Sequence, residues 1–297
     1  MDSRQQKWEK LTLADDFMFG KVMSDSKLCA EMLRRIFSDL KIGEIEIVDT
    51  QKTLKQALHV RGVRFDVLTS TARNIFDVEA QKRKLKDLHR RTRAYHIAVG
   101  YNALSKESLK KSGSYKDLPN IYVIFICTFD LFNKGRHIYT FKNFCAEDKE
   151  LELEDGAYTI FLNTKGKLDD VSLELKNFLN FVDKNKVVDG DSFIKILDEK
   201  IKEAKHNTVW RDDYMLLLTR EDEKFAEGIQ KGIQKGIQQG RADGIHEGEN
   251  RANERVAIDM LKKSLPLQLI EEISHLSEDV IRRIATAKGL VISQSPC

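Results

Sequence analysis

The chain has 297 residues, of which 41% are hydrophobic and 33% are charged, and its formal net charge is only +3. This length allows one full domain and a smaller second unit, and the low net charge excludes a global electrostatic attraction to nucleic acid. The longest apolar run, residues 121–127, is far shorter than the roughly 20 residues of a membrane span. The four cysteines lack the CxxC spacing of zinc sites. We therefore expect a cytoplasmic protein without a membrane span or a disulfide framework.

Two helices are predicted before the first strand. Apolar residues recur at helical spacing from Phe17 to about Leu40, with an interruption at residues 24–26. Asp25 or Ser26 is expected to cap the second helix. A strand is expected to begin near Ile45 and another to cover residues 54–60, leading into an acidic strand.

Two short strands then carry acidic residues. Alternation in residues 63–68 places Val63, Phe65 and Val67 on one face and Arg64, Asp66 and Leu68 on the other. In residues 75–81, one face carries Ile75, Asp77, Glu79 and Gln81. The intervening residues 69–74 are small or polar and have about the length of a hairpin connection. We therefore expect Asp66 and Glu79 to form a carboxylate pair with Gln81 beside it.

This acidic face has two interpretations from the sequence. An antiparallel sheet with one solvated face shows the same alternation without any function, and spacing alone favours that interpretation. The alternative is a site for a hard cation, in which Asp66, Glu79 and the Ala80 carbonyl supply oxygen ligands to Mg²⁺ and waters complete an octahedron. Such an ion generates hydroxide from water and neutralises charge on a phosphate.

A strongly basic segment follows directly. Residues 82–104 are predicted to form a helix, because apolar residues from Leu85 to Leu104 fall close to one stripe. The first twelve positions contain Lys82, Arg83, Lys84, Lys86, His89, Arg90, Arg91 and Arg93. A charge run is usually a solvated face, but phosphates of a nucleic acid would relieve the repulsion among so many like charges. We favour the second interpretation, and the candidate phosphate-binding residues are Arg64, Lys84, Arg90, Arg91 and Arg93.

The remaining elements complete an α/β pattern. Residues 120–129 are almost continuously apolar and predict a central buried strand, with further strands at residues 137–144 and 158–162. Helices are predicted at residues 171–182, 193–204 and 212–225, and short helices after residue 255. Tyr95 is expected to be a core residue of the basic helix.

Six glycines recur at every fourth position from Gly228 to Gly248. The repeat is interpreted either as a linker or as a helix whose glycines allow another backbone to approach closely, and its strict spacing favours a helix that pairs in a homo-oligomer. The predicted divisions are a core at residues 1–166, a helical extension at 167–226, the glycine repeat at 227–250 and a small helical segment at 251–297.

Several short motifs together resemble the PD-(D/E)XK nuclease superfamily, specifically its recombination-promoting nuclease or transposase branch. The motifs are Asp16–Met23 for the opening D-x-x-F-K-x-(L/V)-F, Arg64–Asp66 for R-x-D, Val78–Gln81 for E-x-Q, Arg91 and Tyr95 for R-x-x-x-Y, and Gly113–Tyr115 for G-x-x-Y. Gly20 departs from the opening motif. The tail with its glycine repeat is also similar, so the resemblance covers most of the chain.

The resemblance implies a restriction-endonuclease-like core, in the order αβββαβ with a mixed sheet flanked by helices, and an all-helical C-terminal extension. It further implies a Mg²⁺-dependent DNA endonuclease of the transposase or recombination-promoting type, in which Asp66 and Glu79 hold the metal and Gln81 positions water. In the wider superfamily an acid from the first helix often reaches the metal, so Asp16 and Glu31 are candidates, although a cap or a solvated charge is the favoured interpretation of both.

One departure from the wider superfamily concerns the last motif position. The superfamily usually has Lys where this chain has Gln81, and an amide cannot accept a proton at neutral pH, so the general base stays unassigned. The alternative function is a nuclease-like protein that has lost cleavage and acts in DNA binding or assembly.

Overall fold

The computed structural model of the chain describes residues 3–45, 47–54, 63–105 and 114–293. A mixed six-stranded sheet lies at the centre of the fold, with the strand order β1-β2-β3-β4-β6-β5. The strands are β1 (Ile47–Leu54), β2 (Val63–Ser70), β3 (Asn74–Gln81), β4 (Asn120–Cys127), β5 (Ile138–Phe141) and β6 (Ala157–Asn163). β1, β2 and β3 are antiparallel neighbours, β3, β4 and β6 are parallel, and β5 is antiparallel to β6.

Helices cover both faces of the sheet and form the C-terminal part of the chain. They are α1 (Ser3–Glu9), α2 (Asp16–Met23), α3 (Ser26–Ile36), α4 (Leu88–Leu104), α5 (Leu173–Lys184), α6 (Ser192–His206), α7 (Thr208–Lys262), α8 (Leu267–Ser274) and α9 (Glu278–Lys288), with a short 3₁₀ helix at Tyr115–Asp117. The order from α3 to β4 is helix, three strands, helix, strand. The predicted α/β fold with a restriction-endonuclease-like core and a helical C-terminal region is therefore confirmed.

The sheet is buried between two helical layers, and apolar side chains from both of its faces pack against the helices. On one face, Leu88, Tyr95 and Val99 of α4 pack in one core cluster with Leu68 and Phe125. On the other face, Phe37 at the end of α3 contacts Phe76 and Tyr122, with ring centroids 5.6 and 5.0 Å away. Residues that alternate along β3 and β4 therefore supply two separate cores.

The basic helix begins later than the sequence predicts. α4 starts at Leu88, so Lys82, Arg83, Lys84 and Lys86 lie in the preceding irregular segment. Repulsion among adjacent cations disfavours helix in that segment, and Leu85 is exposed there, so no apolar face holds it on the sheet. The backbone carbonyl of Asp87 instead accepts the first helical N–H groups, from Arg90 and Arg91.

Other predicted boundaries also change. The β2–β3 connection has three residues, 71–73, because regular pairing extends to Ser70 opposite Ile75. The predicted strand near Ile45 is β1, and the predicted strand at residues 54–60 falls almost entirely outside the described residues, as does Gly113 of the G-x-x-Y motif. The predicted strand at 137–144 is limited to β5.

The chain divides into two compact units, Met1–Leu216 and Leu217–Cys297. The first unit includes α5 and α6 as well as the sheet. Arg35 of α3 donates two hydrogen bonds of 2.8 and 2.7 Å to Asp191 at the start of α6, and Trp8 Nε1 donates to the Lys205 carbonyl at 3.1 Å. These contacts attach the helical extension to the core.

The second unit has its own small core. Ala257, Met260 and Leu261 near the end of α7 pack with Ile270 of α8 and Ile281 of α9. None of the helices in the described ranges is both long and apolar enough to cross a membrane. Cys29, Cys127 and Cys145 are free thiols.

Candidate active site

Asp66 and Glu79 are held together at the point where β2 and β3 stop pairing regularly. The last regular pair before them is Val67 opposite Val78, and the next positions along the strands are Asp66 and Glu79. Glu79 Oε1 accepts a 2.8 Å hydrogen bond from the Asp66 backbone N–H, and Asp66 Oδ2 accepts a 3.0 Å hydrogen bond from the Ala80 N–H. Each carboxylate is thus fixed by the main chain of the opposite strand.

Strict alternation along β2 breaks next to this pair. The Phe65 side chain packs in the same core cluster as Leu68, and its ring centroid is 5.5 Å from that of Tyr95 on α4. The sequence placed Phe65 and Leu68 on opposite faces, and that prediction is wrong. The carboxylate bonds at Asp66 replace the regular ladder, so the strand no longer follows the period of two that the prediction assumed.

The acidic face is not solvated. Asp66, Asp77 and Glu79 are only 5%, 0% and 2% exposed. The interpretation of these strands as a sheet with one wet face is therefore wrong, because α4 covers the face. Carboxyl groups taken out of water need partners or protons, since unpaired burial of charge is costly.

Asp77 is a member of this cluster that the sequence placed on the acidic face but gave no role. Its two carboxyl oxygens are buried and receive no hydrogen bond from any donor among the described residues. The Asp77 carboxyl lies against that of Glu79. Two carboxyl groups in contact disfavour ionisation of both, so the pair is more stable when one of them keeps its proton. From the sequence, only the alternation along β3 indicates that Asp77 and Glu79 share a face.

The buried carboxyl groups hold protons more tightly than exposed ones. Burial is the largest cause, and it raises the pKa of Asp66 and of Asp77 well above the usual range, with a further rise from the adjacent Glu79 charge. Burial also raises the pKa of Glu79 to about 7, although hydrogen bonds from the Asp66 N–H and the Tyr95 O–H oppose the rise. At neutral pH a bound cation would stabilise the ionised forms of all three groups.

The Tyr95 hydroxyl connects α4 to the acid pair. It donates a 2.8 Å hydrogen bond to Glu79 Oε2, and it accepts a 2.7 Å hydrogen bond from Arg91 Nη2, one turn earlier on α4. Tyr95 is only 4% exposed. The prediction that Tyr95 is a core residue is confirmed, but its hydroxyl also reaches the site, and helical spacing alone could not show this.

Two of the predicted phosphate-binding residues, Arg64 and Lys84, are engaged with protein groups. Arg64 Nη2 is 3.3 Å from Asp16 Oδ2 at the start of α2. Asp16 also lies close enough to Asp66 to raise the pKa of that carboxyl. Lys84 Nζ donates to the Asp130 carbonyl at 3.1 Å. Arg64 and Lys84 must therefore exchange these partners if they bind phosphate.

The remaining candidate residues lie in different environments. Arg90 and Arg93 are exposed on α4 and available to an external anion. Glu31 pairs with Arg34 and Arg35 on its own helix, at 3.5 Å each, so its interactions lie within α3. Lys82, which the sequence did not assign, forms a 2.6 Å ion pair with Asp15 at the start of α2.

The donor set suits a hard cation. Asp66 and Glu79 contribute carboxylate oxygens, the atoms that Mg²⁺ prefers. The Ala80 N–H points toward Asp66, and its carbonyl points the same way because both groups of a strand residue face one neighbour. Among the described residues, no group of three His, Cys, Asp or Glu side chains is arranged to hold an ion. Water would therefore have to supply the remaining ligands. The half-buried Gln81, at the end of β3, lies two residues after Glu79.

A family model described as PD-(D/E)XK nuclease family transposase matches residues 14–227, well over half of the chain. The matched range contains Asp66, Glu79 and Gln81 and ends where the glycine repeat begins. The resemblance inferred from the motifs is confirmed. No curated protein and no solved structure matches the chain.

Proposed function

Because the chain belongs to the PD-(D/E)XK nuclease family transposases, we propose that it is a Mg²⁺-dependent endonuclease that hydrolyses phosphodiester bonds in DNA during recombination or transposition. The observation that carries the proposal is the reciprocal bonding of Asp66 and Glu79. Each carboxylate is anchored through one oxygen to the opposite strand. Such fixed oxygen donors are what a Mg²⁺ site requires.

The chain's own residues have distinct roles in this reaction. Asp66, Glu79 and the Ala80 carbonyl bind the cation, which when bound lowers the pKa of water and neutralises charge on the scissile phosphate. Gln81 orients the attacking water through a hydrogen bond. Asp16, beside Asp66, is the candidate additional acid on the α2 side.

Phosphate binding falls to the basic residues around the site. Arg90 and Arg93 on α4 are exposed, and their guanidinium groups can each contact a phosphate with two hydrogen bonds. Arg64 lies close enough to Asp66 to lower the pKa of that carboxyl. Arg64 and Lys84 would contact DNA after leaving Asp16 and the Asp130 carbonyl. An approaching phosphate backbone would compete for both side chains because it is also anionic.

The experiment is nicking of supercoiled plasmid DNA with Mg²⁺ and with a chelator. Wild-type protein should nick only with Mg²⁺. Asp66→Asn and Glu79→Gln should each abolish nicking, because both keep a hydrogen-bond acceptor but remove a charge that binds the cation. The double variant should lose little more, because the two groups act as a unit. Glu150→Ala, in an exposed loop, is the matched control and should nick normally.

Two results would contradict the proposal. Asp66→Asn protein that nicks as fast as wild-type protein under chelator-sensitive conditions would remove the metal assignment. Wild-type protein that binds DNA but never nicks it would support the alternative of an inactive nuclease-like protein in DNA binding or assembly.

A further inference from the structure

Glu79 is linked to the basic helix by a short chain of hydrogen bonds. Arg91 Nη2 donates to the Tyr95 hydroxyl at 2.7 Å, and that hydroxyl donates to Glu79 Oε2 at 2.8 Å. The Arg91 guanidinium carbon also lies over the Tyr95 ring, 5.5 Å from its centroid. Arg91 is half-buried, unlike its neighbours Arg90 and Arg93. Its surroundings therefore differ from those of a surface arginine.

The direction of this chain is fixed by the chemistry of its members. A guanidinium group has five N–H donors and no acceptor, so the Tyr95 oxygen must accept from Arg91. The single hydroxyl proton of Tyr95 is then directed at Glu79, whose Oε2 must accept it. Hydrogen bonds arranged head to tail in this way polarise and strengthen one another.

The tyrosine is held in place by its ring. The Tyr95 ring centroid is 5.5 Å from that of Phe65 and 5.6 Å from that of Phe125, with the rings nearly perpendicular in both pairs. Edge-to-face packing of this kind restricts rotation of the ring. The position of the hydroxyl is thereby set by β2, β4 and α4 together.

Glu79 is consequently restrained at both of its oxygens. Oε1 accepts from the Asp66 N–H and Oε2 accepts from Tyr95. A carboxylate has about four lone-pair sites on its two oxygens, so this arrangement fixes its rotation and still leaves acceptor capacity on each oxygen. Partners of this type around metal ligands commonly determine the affinity of the site.

We propose that Arg91 and Tyr95 are positioning residues, which hold the Glu79 carboxylate in the orientation that binds the catalytic cation. The inference rests on the proposed Mg²⁺-dependent cleavage and adds to it a specific role for two α4 residues. It replaces the phosphate-binding role that the sequence suggested for Arg91. Phosphate binding on α4 then belongs to the exposed Arg90 and Arg93.

The test measures Mg²⁺ binding to the full chain by calorimetry in the absence of DNA, so that phosphate contacts cannot contribute. Tyr95→Phe and Arg91→Ala should each weaken Mg²⁺ binding by about 10-fold or more, the usual effect of losing a partner of a metal ligand. Tyr101→Phe, on the exposed side of α4, is the control for the tyrosine and should bind as tightly as wild-type protein. Arg93→Ala is the control for the arginine, and it should leave Mg²⁺ affinity unchanged while weakening DNA binding.

A double variant distinguishes a connected chain of hydrogen bonds from two independent contacts. Arg91→Ala combined with Tyr95→Phe should weaken Mg²⁺ binding little more than Tyr95→Phe alone, because Arg91 acts through the hydroxyl that the second change removes. Arg91→Lys retains a cationic donor and should recover part of the lost affinity. If instead Arg91→Ala leaves Mg²⁺ affinity unchanged and reduces the salt dependence of DNA binding, Arg91 binds phosphate and the positioning role is overturned.

The outcomes also separate this inference from the proposed function. Wild-type protein that binds no Mg²⁺ overturns the proposed function, whereas variants that bind Mg²⁺ as tightly as wild-type protein overturn only the positioning role. Thermal melting without metal gives a second test of the hydrogen-bond chain. If the melting-temperature shifts of the two single variants add fully in the double variant, Arg91 and Tyr95 act independently and the hydrogen-bond chain is overturned. Shifts that add incompletely support it.

Discussion

At the scale of single residues, Asp77 shows how the protein tolerates three buried carboxyl groups. The group is fully buried and no donor reaches its oxygens among the described residues, so its ionised form has little to stabilise it. Burial and the neighbouring Glu79 raise its pKa well above the usual range. A proton retained on Asp77 therefore reduces the charge of the acid cluster.

This arrangement makes stability depend on pH. The pKa of Asp77 is higher in the folded than in the unfolded chain, so the folded state holds its proton more tightly. The stabilisation is fully present below the unfolded pKa of about 4 and is lost as pH rises through the folded pKa. The pKa of Glu79 is also raised, to about 7, so Glu79 changes stability with pH in the same direction.

We expect Asp77→Asn to remove part of this pH dependence. The amide is close in size to the carboxyl, carries no charge at any pH and can donate to Glu79. With a chelator present, the variant should melt at a higher temperature than wild-type protein at pH 8, and the difference should shrink at pH 4. The measurement is thermal denaturation followed by circular dichroism at both pH values.

The matched control is Asp117→Asn, which replaces an exposed aspartate outside the acid cluster and should change the pH profile little. A wild-type melting temperature that rises steadily from pH 5 to pH 8 without metal would contradict the raised pKa values of the buried acids. Equal melting of Asp77→Asn and wild-type protein at pH 8 would show that Asp77 already carries its proton there.

Sequence reasoning reached the acid pair but not its surroundings. The period of two along β3 was enough to place Asp77, Glu79 and Gln81 on one face, and antiparallel pairing brought Asp66 opposite Glu79. Nothing local to those strands indicates which helix covers that face. Tyr95 comes from a different element, so its bond to Glu79 depends on how α4 crosses the sheet.

At the scale of elements, the glycine repeat is the feature that the sequence left most open. In the structure it is helical throughout, as part of α7. A Cβ added at Gly228, Gly232, Gly236, Gly240, Gly244 or Gly248 would meet no atom within 4 Å. In the part of the chain that the structure describes, no neighbouring atom requires a glycine at these positions.

Exposed isoleucines accompany the glycines on this helix. Ile229, Ile233, Ile237 and Ile245 are each about half exposed or more. Glycines four residues apart advance by about 40° per step around a helix, so they trace a spiral. We propose that this surface pairs with a second copy of the helix, whose backbone the glycines would allow to approach closely.

Replacing glycines with alanine tests the pairing. Gly232→Ala with Gly236→Ala should raise helix stability by about 0.8–1 kcal/mol per site in an isolated chain, because alanine loses less backbone entropy. If the glycines contact a second copy, the same changes should weaken self-association in sedimentation experiments. Gln234→Ala, at an exposed position in the same repeat, is the control and should alter neither property much.

Pairing through the glycines requires helix stability to rise while self-association weakens. Higher helix stability together with unchanged association would reject glycine contacts between copies. The strict spacing of the glycines would then need an explanation outside self-association.

Element boundaries show where local sequence patterns reach their limit. Apolar strands such as β4 were predicted closely because burial on both faces produces a continuous apolar run. The start of α4 was predicted too early, because cationic residues have good intrinsic helix propensity but repel one another when adjacent. The single helix α7 joins a predicted helix at residues 212–225 to the glycine repeat, which propensity alone would have separated.

At the scale of the whole molecule, the first residues of α7 belong to the unit that contains the sheet. The Tyr214 ring centroid lies 5.7 Å from that of Trp8 and 5.2 Å from that of Phe17. Lys21 forms a 2.9 Å ion pair with Asp213, and its ammonium lies over the Trp210 ring. The start of α7 therefore packs against α1 and α2, close in sequence to Asp16.

Two truncations divide the chain at informative places. A chain ending at residue 226 keeps Trp210, Asp213 and Tyr214 and removes the glycine repeat with the small C-terminal core. It should melt cooperatively near the temperature of the full chain and retain chelator-sensitive nicking, because Asp66, Glu79 and Tyr95 all lie in the first unit.

A chain ending at residue 206 loses the contacts of α7 with α1 and α2. Its free energy of unfolding should fall by about 1–3 kcal/mol from the two ring contacts of Tyr214 alone, since each aromatic pair contributes about 0.5–1.5 kcal/mol beyond burial. Calorimetry and sedimentation of both truncated proteins give the comparison. If the two truncated proteins melt at the same temperature, the start of α7 does not stabilise the core. If the chain ending at 226 self-associates like the full protein, pairing does not occur through the glycine repeat.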